Sequence, residues 1–479
     1  WWWGRGGGGC PPPPFPRVWA CRGCPSPQPS PRKRGEGAEA PCQMIELVQV
    51  SLVLLALLTV LLAGGVWIAI ALMACGYVGM QFVGGNIPAG PVLATTIWGN
   101  SASWTLAALP LFVWMGEILF RTKLSDEMFR GLAPWLNRIP GRLMHVNVLA
   151  CGIFGSVSGS SAATCATVAK IALPELKKRG YDEMVSLGSL AGAGTLGILI
   201  PPSIMMVIYA VAANVSIIQV FLAGFLPGAL VMVLYSGYIA LWSLANPDKT
   251  PPPDPPMSLR QKLAESAKLI PTFLLIALVF VSLLVGWATA TECAAWGVLG
   301  SLAIAWWHSM LTWESFWQSV MGATRVTCMI MLILAGASYM STSMAYTGIP
   351  QALATWVGSF NLSPYALIAA LTVMYIVLGT ALDGISMIVL TTAVVIPMIK
   401  SAGFDLVWFG IFVVLVVEMA EVSPPVGFNL FVLQTMSGKD SNTVARASLP
   451  FFFLLVLAVA IITVFPDLVM VLPRMVFPG

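Results

Sequence analysis

Beyond position 46 the chain alternates between long apolar stretches and short polar connections. The first stretch covers 47–63, and comparable ones cover 66–83, 97–120, 186–211, 218–244, 269–287, 290–306, 318–345, 406–435 and 447–472. A bilayer core about 30 Å thick is crossed by about 20 apolar residues of helix, so the pattern predicts an all-α polytopic membrane protein with ten crossings. Two further segments, 145–170 and 365–397, carry clusters of Gly, Ser or Thr in their middles. Each is expected to be a hairpin that enters and leaves by one face.

Charge orients these segments, because cytoplasmic loops are enriched in Lys and Arg. Segment 121–142 holds Arg121, Lys123, Arg130, Arg138 and Arg142, and 170–183 holds Lys170, Lys177, Lys178 and Arg179. Both ends of the first hairpin are therefore expected inside, which makes it re-entrant. The linker 246–268, with Lys249, Arg260, Lys262 and Lys268, falls on the same side, as do Lys439 and Arg446. Fifteen of the 18 basic residues after position 43 then face the cytoplasm, which selects this orientation over its inverse. Connection 346–364 has no charge, so the second hairpin is expected to enter from outside.

Opposite-facing hairpins predict two inverted-topology repeats. At one offset of 223, Pro174, Lys177, Gly180 and Asp182 meet Pro397, Lys400, Gly403 and Asp405. The same offset pairs Pro201 and Pro202 with Pro424 and Pro425, and Leu226-Pro227 with Leu449-Pro450. With small gaps, Gly116 meets Gly336 and Trp135 meets Trp356. The expected divisions are a non-native or disordered tail at 1–43, a first repeat at 44–245, a cytoplasmic linker at 246–268 and a second repeat at 269–479. Two related halves give two accesses to one midplane site, the organisation of a secondary transporter.

Composition excludes a soluble fold. Only 9% of residues are charged and 58% are hydrophobic, against about 25% charged in soluble domains. The net charge of +4 sits in short loop clusters, not in a basic groove interleaved with aromatics, so no nucleic-acid partner is expected. The cysteines form no metal-ligand array; Cys75, Cys151, Cys165, Cys293 and Cys328 are isolated in apolar segments. The tail has no methionine before Met44, which is read as the natural start, and lacks the apolar region of a signal peptide.

The chemistry concentrates in a device that recurs in each half, a small-residue hairpin tip followed by a helix broken at a Pro-Pro pair. The tips are 155–161 (GSVSGSS) and 379–384 (GTALDG), and the breaks lie in 194–203 (GTLGILIPPS) and 421–427 (EVSPPVG). Proline removes a backbone donor and frees carbonyls, which together with Ser, Thr and Asp oxygens suit a hard cation such as sodium. Half-helix N-termini suit a carboxylate. The candidate cation ligands are Ser156, Ser158, Gly159, Gly194, Thr195, Gly197, Gly379, Thr380, Asp383 and Ser423. Candidate substrate contacts are Ser160, Ser161, Thr164, Pro202, Ser203, Pro425 and Asn429. The alternative for each small residue is close helix packing.

Intramembrane acids are costly and usually functional, so Glu418 and Glu421 join Asp383 as candidates for ion coordination or charge balance. Glu292 reads as a cap or packing partner, and Glu117 and Arg325 as snorkelling residues. His145 and His308 lie at span ends. That leaves Ser158 and Ser160 without an activating base, so an intramembrane serine protease is not expected and no catalytic residue is assigned. A channel also uses broken helices; the opposite-facing hairpins favour a transporter.

Four segments, 155–164 (GSVSGSSAAT), 194–203 (GTLGILIPPS), 222–228 (LAGFLPG) and 423–432 (SPPVGFNLFV), resemble signature segments of the DctM-like large membrane subunit of TRAP (tripartite ATP-independent periplasmic) transporters. The resemblance covers essentially everything from Met44 onward. It implies an elevator-type secondary transporter of the bacterial cytoplasmic (inner) membrane, with Na+ as coupling ion. It also implies a small four-helix membrane subunit, an extracytoplasmic substrate-binding protein, and a small organic anion as substrate, a carboxylate such as a C4-dicarboxylate or sugar acid. No four-helix segment precedes Met44, so the small subunit is expected as a separate chain. Two departures stand out: Ser423 where the family often has Thr, which keeps the hydroxyl, and Gly65-Val66-Trp67 where it has a GVP-like start.

Overall fold

The computed structural model describes residues 36–82, 88–122, 124–252, 257–359, 363–380, 382–423 and 427–477. Residues Trp1–Glu46 and Leu47–Gly479 form separate units, and the packing below concerns the second. Helices α1 (Glu36–Ala63), α2 (Ile68–Gln81), α3 (Ala89–Ser101), α4 (Ala108–Phe120) and α5 (Leu124–Leu136) lead to a helix pair, α6 (Leu143–Ser158) and α7 (Ser161–Lys178). Then follow α8 (Glu183–Leu199), α9 (Ile204–Ala213) and α10 (Ile217–Ala245), with α11 (Leu259–Ala267) inside the linker. The second half contains α12 (Ile270–Leu284), α13 (Ala290–Trp307), α14 (Trp313–Thr347), α15 (Ile349–Ser359) and the pair α16 (Pro364–Leu378) and α17 (Gly384–Ser401). It ends with α18 (Leu406–Val422), α19 (Phe428–Ser437), α20 (Ser441–Val464) and α21 (Asp467–Val476). No strand occurs among the described residues.

Helix starts fall where the sequence supplies an oxygen to the free N–H groups of a first turn. Asp182 accepts from Val185 N at 3.1 Å to start α8, and Asp405 accepts from Val407 N at 2.7 Å to start α18. Each is preceded by a glycine in the left-handed region, Gly180 at φ 78° and Gly403 at φ 80°. Helix α17 starts and ends 223 positions after α7, and α18 stands in the same relation to α8. The offset seen in isolated residues is therefore an offset of whole elements.

Long apolar stretches do not all become long helices. Stretch 97–120 is divided: α3 ends at Ser101, a 3-10 turn covers Trp104–Ala107, and α4 starts at Ala108. The polar run Asn100, Ser101 and Ser103 interrupts the first helix, and Pro110 fits only the first turn of the next, where no N–H is needed. Among the described residues α10, α14 and α20 are singly long and apolar enough to cross a bilayer. The pairs α8/α9 and α11/α12 reach that length only together, bent by 45° and 58°. Ten straight crossings are thus not present as single helices. Within the linker, Ser258 and Gln261 form a reciprocal capping box at the start of α11.

Packing falls into two groups. Helix α14 packs along α2 and α4, α4 along α13, and α13 on α12. Around the Pro-Pro breaks, α8 packs on α18, α8 on α20, and α18 on α10; α7 packs on α19 while α17 packs on α9. The α8–α20 and α18–α10 contacts exchange the two halves, as do α7–α19 and α17–α9. Helix α18 is buried from Val407 to Val422 and α8 from Val185 to Leu199. A helix buried on every side occupies the centre of its bundle.

Candidate functional site

The first tip is a tight exchange between two helices. Helix α6 ends at Gly159, whose φ of 61° places it in the left-handed region and whose N–H donates to Gly155 O at 2.8 Å. Ser160 is extended and starts α7. Ser158 Oγ lies 2.7 Å from Thr164 Oγ1, which donates to Ser160 O at 2.7 Å. Helix α8 closes the other side: a Cβ on Gly155 would stand 2.4 Å from Gly197 Cα. Of the residues expected around a cation, Ser158, Gly159 and Gly197 therefore gather with Ser160 and Thr164.

The rest of that set is dispersed. Ser156 and Thr195 turn their hydroxyls back onto their own helices, to Ile153 O at 2.7 Å and Gly192 O at 2.8 Å. Gly194 lies against Cys165. At the first break Pro202 cannot donate the helical bond to Ile198 O, and the Ser203 hydroxyl donates to that carbonyl instead, at 2.5 Å. Ser203 thus repairs the ladder, and its side chain is buried. Ile204, which opens α9, lies 2.9 Å from where a Gly159 Cβ would be, so tip and break touch.

In the second half Gly379 closes α16 against Ala420 of α18. Thr380 donates to Val377 O at 2.7 Å. Asp383 caps α17, accepting from Ser386 N at 3.3 Å and from the Ser386 hydroxyl. Ser423 donates to Ala420 O at 3.0 Å. Pro425 lies outside the described residues. Asn429, on α19, is fully buried, and neither end of its amide has a hydrogen-bond partner among the described residues.

The two tips meet at Glu421. The Ser161 hydroxyl donates to one Glu421 carboxylate oxygen, while Gly384 lies so close that its Cβ would stand 3.3 Å from the other. Met205 of α9 touches the same glycine. One turn earlier Glu418 is fully buried, with neither oxygen in hydrogen-bond geometry to a described residue. Thr195 and Tyr235 lie beside it; Thr195 is its partner at the offset of 223.

No cationic side chain among the described residues offsets these acids. Among the described residues Asp383, Glu418 and Glu421 form no ion pair with Lys, Arg or His, and no three His, Cys, Asp or Glu side chains are placed to hold one metal ion. A small cation here would rely on hydroxyl and carbonyl oxygens near a carboxylate, a donor set suited to a hard monovalent ion. Other sequence-level readings resolve simply. Glu292 accepts from Thr289 N at 2.7 Å in a capping box, Glu117 pairs with Arg121 at 3.1 Å, and His145 bonds Pro140 O at the far end of α6.

Residues 55–468 match the family described as the tripartite ATP-independent periplasmic transporter, DctM component. The chain belongs to this family. It is 30% identical over 383 residues to the C4-dicarboxylate TRAP transporter large permease protein DctM of Pseudomonas aeruginosa, covering 80% of this chain and 89% of that one. It is 26% identical to the sialic acid TRAP transporter large permease protein SiaM of Vibrio cholerae, covering 80% and 89%, and to the ectoine TRAP transporter large permease protein TeaC of Halomonas elongata, covering 78% and 87%. Among solved structures, the YdaH transporter of Alcanivorax borkumensis superposes with a TM-score of 0.63 at 12% identity, covering 86% of this chain and 99% of that one. That likeness concerns the fold alone. As a DctM component the chain is the large permease subunit of a TRAP transporter, an all-helical transport protein of the membrane.

Proposed function

We propose that this DctM component carries a small carboxylate-bearing anion, such as a C4-dicarboxylate or sugar acid, into the cell in symport with sodium. The observation that carries the reading is Glu421, reached by both tips and matched by no cationic side chain among the described residues. A buried carboxylate needs a counter-charge or a proton, and for Glu421, with Asp383 near it, the proposed counter-charge is a cation from solution. Sodium is held at two tip-and-break clusters: Ser158, Gly159 and Gly197 with Ser160 O and Thr164, and Gly379, Thr380, Asp383 and Ser423. The substrate carboxylate lies between them, at the N-terminal ends of α7, α9, α17 and α19. Ser160, Ser161 and Asn429 supply its polar contacts.

The halves 44–245 and 269–479 are inverted repeats, supported by the element offset and the exchanged packing. They form two re-entrant hairpins in a unit that moves as an elevator against α2, α4 and α12–α14. The setting is the bacterial inner membrane, where an extracytoplasmic binding protein delivers the substrate and a small membrane subunit completes the complex. In that orientation a cysteine at position 130 is expected to react with an impermeant thiol reagent only from the cytoplasmic side; labelling from the periplasm reverses it.

Sodium dependence tests the coupling. Asn caps a helix as well as Asp, so Asp383→Asn is expected to leave α17 intact while removing a charge beside the ion. Loss of one such contact is worth about 1.5–3 kcal/mol, so the sodium concentration for half-maximal uptake rises at least about tenfold. The measurement is uptake against sodium concentration in proteoliposomes with both partners present. An unchanged sodium response would remove Asp383 from the ion site.

A further inference from the structure

A second site lies at the other end of the first hairpin. A cavity of about 1430 Å³ opens where α6 begins and α7 ends, with further walls from α5, α11 and the end of α10. Helix α6 has 16 residues, so the tip is about 24 Å away. Arg130, Arg138, Arg142, Arg179 and Lys262 line the cavity together with two acids, Glu175 and Glu265. Both acids are engaged, Glu175 with Arg179 at 2.7 Å and Glu265 with Lys268 at 2.9 Å. Arg130, Arg138 and Arg142 form no ion pair among the described residues. The Arg142 Nη1 is buried with no hydrogen-bond partner, as is the Ser243 hydroxyl on another wall. Buried donors left unsatisfied cost free energy, which an anion in the cavity would offset.

The surface beside the cavity indicates which anion: α11 lines the cavity through Gln261, Lys262, Ala264 and Glu265 and turns Leu259 and Leu263 to its other side. Leu259 and Leu263 of α11 are 65% and 54% exposed, and the apolar surface continues over Ile270, Phe273 and Leu274 of α12. Trp135 donates to Ser266 at 2.7 Å, and Lys262 Nζ stands 5.7 Å from its ring centroid. An amphipathic helix set at 58° to an apolar one, with a tryptophan and cations beside it, fits the membrane interface. A soluble anion has no use for an apolar face beside its site.

We propose that this cavity binds the phosphate-bearing headgroup of an anionic phospholipid, with Arg138 and Arg142 as its main partners and the acyl chains over Leu259 and Leu263. The test is native mass spectrometry of the purified full chain titrated with phosphatidylglycerol, phosphatidylcholine or inorganic phosphate. Phosphatidylglycerol is expected to bind in preference to phosphatidylcholine. Each cation near a phosphate contributes about a fivefold factor, so Arg138→Gln weakens binding about fivefold and Arg138→Gln with Arg142→Gln about 25-fold. Arg474→Gln, which removes a cation that is not among the cavity's lining residues and pairs with Asp467 instead, is expected to change nothing. Arg138 is solvent-exposed, so its single variant remains informative if the double variant unfolds; thermal unfolding monitors both. Unchanged affinity in folded Arg138→Gln, or equal binding of phosphatidylcholine, would overturn the proposal. Displacement of the lipid by millimolar inorganic phosphate would reassign the cavity to a soluble anion and overturn it equally. None of these readouts requires uptake, so they stand apart from the transport reading.

Discussion

Gly155→Val is expected to prevent this protein from folding to a stable, monodisperse form. The Cβ alone would stand 2.4 Å from Gly197 Cα and 2.8 Å from Gly197 N. Both obstructing atoms are backbone, so no side-chain rotation relieves the clash. Helices α6 and α8 would have to separate, dismantling the junction of Ser158, Ser160 and Thr164 beside them. Overpacking a well-filled interior costs about 1–3 kcal/mol and occasionally more, and a glycine pair at a helix crossing has no slack. The comparison is Gly237→Val on α10, where nothing lies within 4 Å. Thermal unfolding and size-exclusion profiles in detergent check it. Equal stability of the two variants would show that the α6–α8 contact is looser than the structure has it.

What the sequence reveals here is decided by locality. Gly180 with Asp182 and Gly403 with Asp405 are short-range signals, a left-handed turn followed by a cap, and they locate α8 and α18 without knowledge of tertiary structure. The Pro-Pro pair at 201 and 202 and the glycine at 159 act the same way, so the first tip and break are legible. The division of 97–120 is less so, because hydropathy averaged over a window hides the run from Asn100 to Ser103. Ser156 shares the tip's small-residue run, but on a helix its hydroxyl reaches Ile153 O three residues back, which spacing does not exclude. The Ser161–Glu421 contact joins positions 260 apart, and no local pattern announces it. Its only sequence trace is an acid just before a helix break, which marks Glu421 as functional without naming its partner.

That contact carries the remaining prediction. Glu421→Gln keeps the side chain's size, and its amide oxygen still accepts from the Ser161 hydroxyl, so the tips remain joined. What it removes is charge. If the buried acids draw a cation into the site, their joint charge sets its affinity, and removing one from the point where both tips meet weakens that attraction more than removal at the more peripheral Asp383. Truncating one partner of a buried charged pair costs about 3–5 kcal/mol, so sodium-driven uptake is expected to fall by at least about 100-fold. Protein yield and thermal stability stay near those of the unmodified chain. Glu421→Ala gives the contrast: it leaves the Ser161 hydroxyl without its acceptor and opens a void, so it lowers stability as well as uptake. Uptake in proteoliposomes containing both partners, measured beside thermal unfolding of each variant, separates the two effects. Normal sodium-driven uptake by Glu421→Gln would reduce Glu421 to a spacer between the tips and transfer the task of balancing the ion to Glu418 and Asp383.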